Sequence, residues 1–314
     1  MKRFLKYIVL FSLPLILVGL IMEIMLRQIP NPHSFKRGLI ESKANEVKNL
    51  IIGSSVSNYG IDPACLADST LNISLPAQWI RYNKAVLEKY MDQLPNLRNV
   101  IWGFCYYSMW VDDREEIDKG DVVYHYIYWD ISYEPRFLYN IELLSTGPIA
   151  CKKWMKYYIE HKSTMMCDSL GLDNGFMLEG RNANWKEHLK RKVKEHTVRD
   201  TEENRKLYQE NLCRMHQVAQ LCEERGVALH LVVCPLYKDY YERTDICQVS
   251  QLREALEEVV GNRSQVYVYD YLYDERFVEN DFFDGNHLTS DGGSKKLSEI
   301  LWHDMQQNLK KQGM

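Results

Sequence analysis

The sequence predicts an α/β fold built on a parallel sheet that helices cover on both faces. Short apolar runs alternate along the chain with longer segments in which apolar residues recur at helical spacing. Several of these runs are apolar nearly throughout, which is typical of strands buried on both faces. The predicted strands cover residues 47–52, 69–75, 99–105, 227–234 and 265–271, and the predicted helices cover residues 82–94, 202–225, 250–260 and 292–309.

The boundaries of these elements have their own signals. Gly53 closes the first strand, and Gly226 follows the long amphipathic segment 202–225 as a helix-ending residue. Pro235 stops the strand 227–234 because proline cannot donate a hydrogen bond to a neighbouring strand. The strands therefore end at defined points, where loops and functional side chains are expected.

Residues 7–26 predict a membrane-spanning helix. The segment is apolar apart from Ser12 and Glu23. As a helix it would be roughly 30 Å long, about the thickness of the hydrocarbon core of a bilayer. A cleaved signal peptide is the alternative, but the sequence has no A-x-A cleavage pattern and no lipobox cysteine. An uncleaved anchor is the favoured interpretation.

Basic residues around the apolar segment predict its orientation. Lys2, Arg3 and Lys6 precede it, so the positive-inside tendency keeps the N-terminus in the cytosol and exports the body of the protein. The predicted organisation is a cytosolic tail, an anchor, a polar tether and one extracytoplasmic domain at the cell membrane. These segments cover residues 1–6, 7–26, 27–46 and 47–314, respectively.

A long insertion interrupts the alternation of strands and helices at residues 106–200. This region is rich in Tyr, Trp and charged residues, and it is too long for a plain loop. We expect it to pack over the top of the sheet. Its aromatic run at 106–139 could stack on sugar rings or pack against the core. Its basic run at 186–194 fits either a solvated helix face or a contact with an anionic polymer or lipid headgroups.

Composition argues against several classes of function. The net charge of −4 gives no electrostatic support for nucleic-acid binding. Eight cysteines are present without a C-x-x-C pair, so neither a zinc knuckle nor a thioredoxin-type site is indicated. No cofactor and no metal are predicted.

The segment Gly53-Ser54-Ser55 follows the first predicted strand and is the first candidate for chemistry. Sites in parallel sheets form where strands end at their carboxyl edge. If a helix begins here, Ser55 lies beside backbone N–H groups that can stabilise a developing oxyanion. Simple capping of that helix by serine is the alternative interpretation.

The segment Asp284-Gly285-Asn286-His287 supplies the partners that a catalytic serine needs. A serine nucleophile requires a base, and the base requires an orienting group. An aspartate three residues before a histidine can reach its Nδ1 atom, leaving Nε2 for the serine. A surface turn with an incidental histidine and a pair of metal ligands are the alternatives, but no further His or Cys cluster supports a metal.

Together these two segments resemble the first and last blocks of the SGNH (GDSL-like) hydrolase superfamily. The resemblance covers roughly residues 47–105 and 202–309. It implies an SGNH-like, flavodoxin-like three-layer sandwich in which Ser55 is the nucleophile, His287 the base and Asp284 its orienting acid. The layout is most similar to membrane-anchored D-alanyl-lipoteichoic acid transfer proteins and alginate-type O-acetyl transfer proteins.

One part of the SGNH pattern is missing. The superfamily completes its oxyanion hole with a glycine and with the asparagine of a G-x-N-D block, which is absent after the third strand. Gly53, Gln78 and Ser108 are the substitute candidates for the oxyanion or substrate site, together with the Ser55 amide.

The resemblance implies an extracytoplasmic serine esterase or O-acyltransferase. It would act on a cell-envelope polysaccharide through an acyl-Ser55 intermediate, with acetyl as the expected group. The alternative is a catalytically inactive protein of the same fold that binds an envelope glycan or scaffolds an acyltransferase partner. Expected partners are an envelope polysaccharide or acylated glycan, the membrane, and a membrane-bound acyltransferase, but not nucleic acid.

Overall fold

A computed structural model describes residues 2–112, 119–133 and 136–312. The described chain forms two compact units. One unit comprises residues 2–35, 119–133 and 136–165, and the other comprises residues 36–112 and 166–312. The predicted insertion at 106–200 is therefore divided between the two units.

The larger unit is built on a five-stranded sheet in which all neighbouring strands are parallel, in the order β2-β1-β3-β4-β5. The prediction of an α/β fold with a central parallel sheet is confirmed. Every residue of β1 is buried, as its unbroken apolar run indicated. The strands are β1 (Asn49–Gly53), β2 (Thr70–Asn72), β3 (Asn99–Phe104), β4 (Ala228–Val233) and β5 (Val266–Asp270).

The second strand is shorter than residues 69–75 predicted. Regular strand geometry ends at Asn72, but the Ile73 amide still donates to the Ile51 carbonyl at 2.9 Å and the Leu75 amide to the Gly53 carbonyl at 3.4 Å. The apolar run therefore follows β1 for its whole length, although its last residues leave regular strand geometry.

The helices predicted at 82–94, 202–225, 250–260 and 292–309 all form, with boundaries shifted by a few residues. In the residues that the structure describes, the helices are α1 (Lys2–Gln28), α2 (Pro32–Ser42), α3 (Ser55–Gly60), α4 (Ile80–Tyr90), α5 (Lys119–Trp129), α6 (Glu142–Thr146), α7 (Pro148–Tyr158), α8 (Leu189–His196), α9 (Glu202–Glu224), α10 (Lys238–Tyr241), α11 (Ile246–Val260) and α12 (Gly293–Gln312). Several single turns of 3₁₀ helix connect them.

The helices of the larger unit fall into two packed groups. Helix α9 contacts α4 and α11, whereas α3 contacts α12. The chain moves from β1 to β2 in one direction across the sheet and through β3, β4 and β5 in the other. Because parallel crossovers are right-handed, this reversal places α3 on the face opposite α4, α9 and α11. Both faces of the sheet are thereby covered.

The smaller unit is helical and contains α1, α5, α6 and α7. Residues Leu10–Gln28 of α1 are long and apolar enough to cross a membrane, a criterion that a signal sequence would also meet. The side chains of Lys2, Arg3 and Lys6, on which the predicted orientation depends, lie outside the described residues.

The stretch 27–46, which the sequence indicated as a polar tether, is largely helical. Helix α2 occupies most of it. Its Leu39 and Ile40 side chains are buried, and so is the charged side chain of Lys36. These side chains belong to the folded core of the larger unit, so from Lys36 onward the stretch packs as part of that unit.

Candidate active site

Ser55 lies at the carboxyl end of β1 and is the first residue of α3. The turn between strand and helix depends on Gly53, whose φ is +140°, a conformation that side chains strongly disfavour. A Cβ atom at Gly53 would also collide with the side chain of Ser57. Ser54 follows in extended conformation at the N-cap position, where its side chain makes no capping hydrogen bond. This local geometry turns the chain sharply and places Ser55 at the edge of the sheet.

The structure brings Ser55, His287 and Asp284 together in one hydrogen-bonded chain. His287 Nε2 lies 2.8 Å from Ser55 Oγ. On the other side of the ring, His287 Nδ1 lies 3.0 Å from Asp284 Oδ1 and 3.1 Å from Oδ2. The order of groups and the contact atoms are those of a serine nucleophile, a base and an orienting acid.

The loop that carries Asp284 holds its carboxylate in place. The backbone N–H groups of Asn286 and His287 both donate to Asp284 Oδ1 at 3.0 Å. Lys192, from the basic run on α8, forms an ion pair with Oδ2 at 3.2 Å. Burial raises the pKa of Asp284, but His287, Lys192 and the backbone donor outweigh this effect and hold the pKa below its usual range. Asp284 is therefore an anion at neutral pH.

Aromatic rings fix the orientation of the His287 imidazole. Tyr59, Phe176 and Phe283 form a three-ring stack, with centroid distances of 3.8 Å and 4.2 Å between neighbours. The His287 ring meets Phe176 at 5.3 Å and Tyr59 at 6.0 Å, in both cases edge to face. His287 is only 8% exposed. The stack shields the base from bulk water while Nε2 faces Ser55.

The substitute oxyanion candidates have structural partners. The Gly53 N–H donates to Asn83 Oδ1 at 2.8 Å, and Gln78 Nε2 donates to the same atom at 2.9 Å. Ser108 Oγ accepts the Cys105 N–H at 3.0 Å. The Ser54, Gln78 and Ser108 side chains line one small cavity at the carboxyl edge of the sheet. The three candidates thus lie at the carboxyl edge of the sheet. Their hydrogen bonds, however, are made to residues that hold the ends of the strands in place.

The Ser55 amide precedes the first helical hydrogen bonds of α3. Helical hydrogen bonding in α3 begins with the Ser57 and Asn58 amides, which both donate to the Ser54 carbonyl. The N–H groups of Ser55 and Val56 precede these bonds, so helix formation does not engage them. They are the backbone donors next to the nucleophile.

Asn286 is a site residue that the sequence reasoning missed. Its Nδ2 atom lies 3.4 Å from His287 Nε2 and 3.5 Å from the Tyr107 hydroxyl. Both contacts are long for hydrogen bonds, so the amide is weakly engaged beside the Ser55–His287 contact. The side chain is 1% exposed, and its Oδ1 atom has no hydrogen-bond partner among the described residues. Its place between Asp284 and His287 in the chain was the available signal.

Lys36 is a second missed residue, and it supports α3 from behind. Its ammonium donates to Asn58 Oδ1 and to the Ser74 carbonyl, both at 2.5 Å. Burial lowers the pKa of Lys36 to about 8, against the opposing effect of Asp173 and Asp168. The amine therefore ties helix α3, which begins at Ser55, to the segment that follows β2.

A separate cleft of about 640 Å³ opens in the same unit. The Trp110 and Tyr208 rings lie 5.3 Å apart in its wall. Gln248, also in the wall, donates to the backbone carbonyl of His196 at 3.0 Å. His196 in turn stacks on Tyr107 at 4.0 Å. The cleft is thus connected to the Asn286 side of the site by directly contacting residues. Its other lining residues are Val198, Arg199, Asp200, Asn204, Arg205, Gln209, Asp245, Cys247 and Gln251.

Comparisons of this chain with protein-family models, with curated proteins and with solved structures return no match. The SGNH resemblance therefore remains a prediction from the residues themselves. No group of three or more His, Cys, Asp or Glu side chains that could hold a metal is found in residues 2–112, 119–133 and 136–312.

Proposed function

We propose that this protein is a membrane-anchored, extracytoplasmic serine esterase or O-acyltransferase of SGNH type that acts on a cell-envelope polysaccharide. The observation that carries the proposal is the unbroken chain of contacts from Ser55 Oγ through His287 to the Asp284 carboxylate. Two segments separated by 232 positions meet here at hydrogen-bond distance. An incidental helix cap would not require a buried histidine paired with an ionised aspartate.

The geometry supports a two-step acyl transfer. Ser55 Oγ attacks the carbonyl carbon of an acyl ester while His287 Nε2 takes the hydroxyl proton. Asp284 remains ionised and stabilises the imidazolium that forms. The tetrahedral intermediate collapses to acyl-Ser55 as the leaving alcohol accepts the proton from His287. A sugar hydroxyl or a water molecule then gives its proton to His287 and attacks the acyl-enzyme. The second tetrahedral intermediate collapses as His287 returns the proton to Ser55 Oγ, which releases the acylated product.

The sheet topology supports the SGNH part of the proposal. The strand order 2-1-3-4-5 is that of flavodoxin-like sheets, in which sites form at the carboxyl edge near the reversal of strand order. In this chain that point is β1 with its neighbour β3, and Ser55 follows β1 directly. The nucleophile thus occupies the position where this topology places ligands.

The cleft that contacts link to Asn286 supports a carbohydrate as acyl acceptor. Trp110 and Tyr208 offer aromatic surface, and amide side chains such as Asn204 and Gln209 lie near them. Aromatic faces combined with planar polar groups suit the apolar faces and hydroxyl rims of sugars. The volume is within the range of small-molecule binding clefts.

A serine-directed probe tests this proposal. We expect a fluorophosphonate to label the full-length protein at Ser55 and the Ser55→Ala variant not at all. Ser54→Ala is the matched control, since it removes the neighbouring hydroxyl and should retain labelling. With an activated acetyl ester and envelope oligosaccharides, acetylated sugar should appear beside free acetate. If the probe and both substrates fail while the glycan still binds, the non-catalytic alternative is correct.

A further inference from the structure

Exposed apolar side chains are concentrated in the helical unit. Outside α1, twelve large hydrophobic side chains of the described residues are exposed, and seven of them lie between residues 133 and 159. The larger unit has several times as many residues and holds the other five. Phe137 is 81% exposed and Leu144 is 62% exposed. Such a concentration marks an interaction surface, because single exposed hydrophobic residues are normally scattered. The seven residues are Tyr133, Phe137, Leu138, Leu144, Ile149, Met155 and Ile159.

The carboxyl end of α1 is built into this unit. The Glu23 carboxylate accepts the backbone N–H groups of Glu142 and Leu143 at 2.9 Å and 2.8 Å, which caps the first turn of α6. Arg27 pairs with Glu23 at 2.8 Å and donates to the Asn140 carbonyl at 2.7 Å. Removing α1 would leave these amides without their partner.

Apolar packing makes the same connection. Leu26 and Ile29 are buried against Ala150 of α7, and the Tyr158 hydroxyl donates to the Met25 carbonyl at 3.0 Å. These contacts place α6 and α7 beside the last two turns of α1. If α1 crosses a bilayer, those turns lie where the helix leaves the hydrocarbon core.

The composition of α7 is that of a helix at a membrane surface. Trp154, Tyr157 and Tyr158 are partly buried against α1, and aromatic residues of this kind are enriched at the headgroup level. Lys152 and Lys156 are exposed on the same side as Ile149 and Met155. Lysine stems can lie along apolar surface while the ammonium groups reach anionic headgroups.

We propose that residues 137–159 form a bilayer-contacting surface and that α1 remains in the mature protein as part of the same unit. The exposed apolar side chains enter the boundary between headgroups and acyl chains, and the lysines contact anionic headgroups. The surface fits an anionic lipid bilayer, because it combines continuity with an apolar helix, aromatic residues and positive charge. This inference rests on the membrane anchor of the proposed function and is independent of the chemistry at Ser55.

Native thiols allow the surface to be tested in the full-length protein. Cys151 is exposed on α7, and Cys213 is exposed on α9 of the larger unit. Two variants each keep one of these thiols and replace the remaining exposed and half-buried cysteines with serine. Each is labelled with an environment-sensitive fluorophore and reconstituted into phosphatidylcholine–phosphatidylglycerol vesicles that contain lipids with nitroxide quenchers near the headgroup.

We expect several-fold stronger quenching at Cys151 than at Cys213, increasing with the fraction of phosphatidylglycerol. Equal quenching at the two positions would overturn the proposal. A third outcome is that Cys151 is protected from a water-soluble quencher in native membranes but is not reached by lipid quenchers in pure lipid vesicles. In that case another membrane protein covers the surface, and the lipid proposal is wrong. Intact mass of protein from native membranes should include residues 2–28, and their loss would disprove retention of α1.

Discussion

The carboxyl ends of β1 and β3 lie side by side, and each has a glycine at the same register position, but the segments that follow them differ. Gly53 and Gly103 are register partners, and a Cβ atom on either would collide with the Ser57 side chain. After Gly53 the chain opens α3 and presents Ser55 to His287. After Gly103 it turns into a short 3₁₀ helix, in which Ser108 Oγ accepts the Cys105 amide.

The difference lies in what the rest of the fold brings to each strand end. The end of β1 meets the loop 284–287, whose His287 contacts Ser55. The end of β3 supplies Tyr107, which contacts Asn286 and stacks on His196. Burial lowers the pKa of His196 to about 4, so this ring is neutral at neutral pH and adds no charge beside the base. One strand end thus carries the proposed nucleophile, and its neighbour contacts the residues around that site.

The largest expected effect separates the two serines. We expect Ser55→Ala to lower kcat for an activated acetyl ester by about 10⁴-fold or more, because it removes the nucleophile. Ser108→Ala should lower kcat by less than about tenfold, because it removes only contacts with the Cys105 amide and thiol. Circular dichroism controls for folding. A loss of about 10²-fold in Ser108→Ala would make Ser108 an oxyanion donor and break the comparison.

Substitutions at Asn286 and Tyr107 test how the segment after β3 affects the site. We expect Asn286→Ala to lower kcat by about 10²-fold with little change in KM, the signature of a donor used in the transition state. Tyr107→Phe keeps the ring and removes only the hydroxyl, so a loss of a few-fold is expected. Steady-state kinetics on both variants provides the measurement. Equal losses would show that Tyr107 acts directly, whereas an active Asn286→Ala would assign the oxyanion to backbone donors alone.

Lys36 gives the β1 end a dependence on pH. Its pKa is about 8 in the folded protein and about 10.5 when unfolded, so between these values the unfolded chain binds more protons. The free energy of unfolding should therefore rise with pH across this window, by about 3 kcal/mol from this one group.

The Lys36→Met variant isolates this contribution. Chemical denaturation of the full-length protein in detergent at several pH values between 7 and 11 should show the rise in the wild type and a flatter profile in the variant. Lys295, which lies on α12 and is exposed, provides the matched control when changed to Met. Parallel profiles for wild type and Lys36→Met would mean that Lys36 is solvated in solution.

The smallest expected effects concern the two glycines. Gly103→Ala should lower the free energy of unfolding by about 1–3 kcal/mol through overpacking against Ser57. The double variant with Ser57→Ala should recover part of this loss. Gly53→Ala should not recover in the same background, because its positive φ and its approach to the Gly103 carbonyl remain. If Ser57→Ala restored the free energy of unfolding equally in both glycine variants, contact with Ser57 would be the only reason for glycine at either position.

The sequence by itself determined the sheet, most of its helices and the identity of the residues that meet at its edge. Unbroken apolar runs define strands buried on both faces, so β1, β3 and β4 were predictable from local pattern alone. Parallel strands gather their carboxyl ends at one edge, so a serine after β1 and a base before the last helix were expected to converge.

Only the tertiary structure decided which polar groups become buried and what they contact. Lys36 had the pattern of a tether residue, yet it lies in the core because Asn58 and Ser74 supply its acceptors. Asn286 is buried at the site, where it contacts Tyr107 and the His287 ring. Periodicity is a local property and is visible in a short window of sequence. The burial of a polar side chain depends on partners brought together from distant parts of the chain, and no local window contains them.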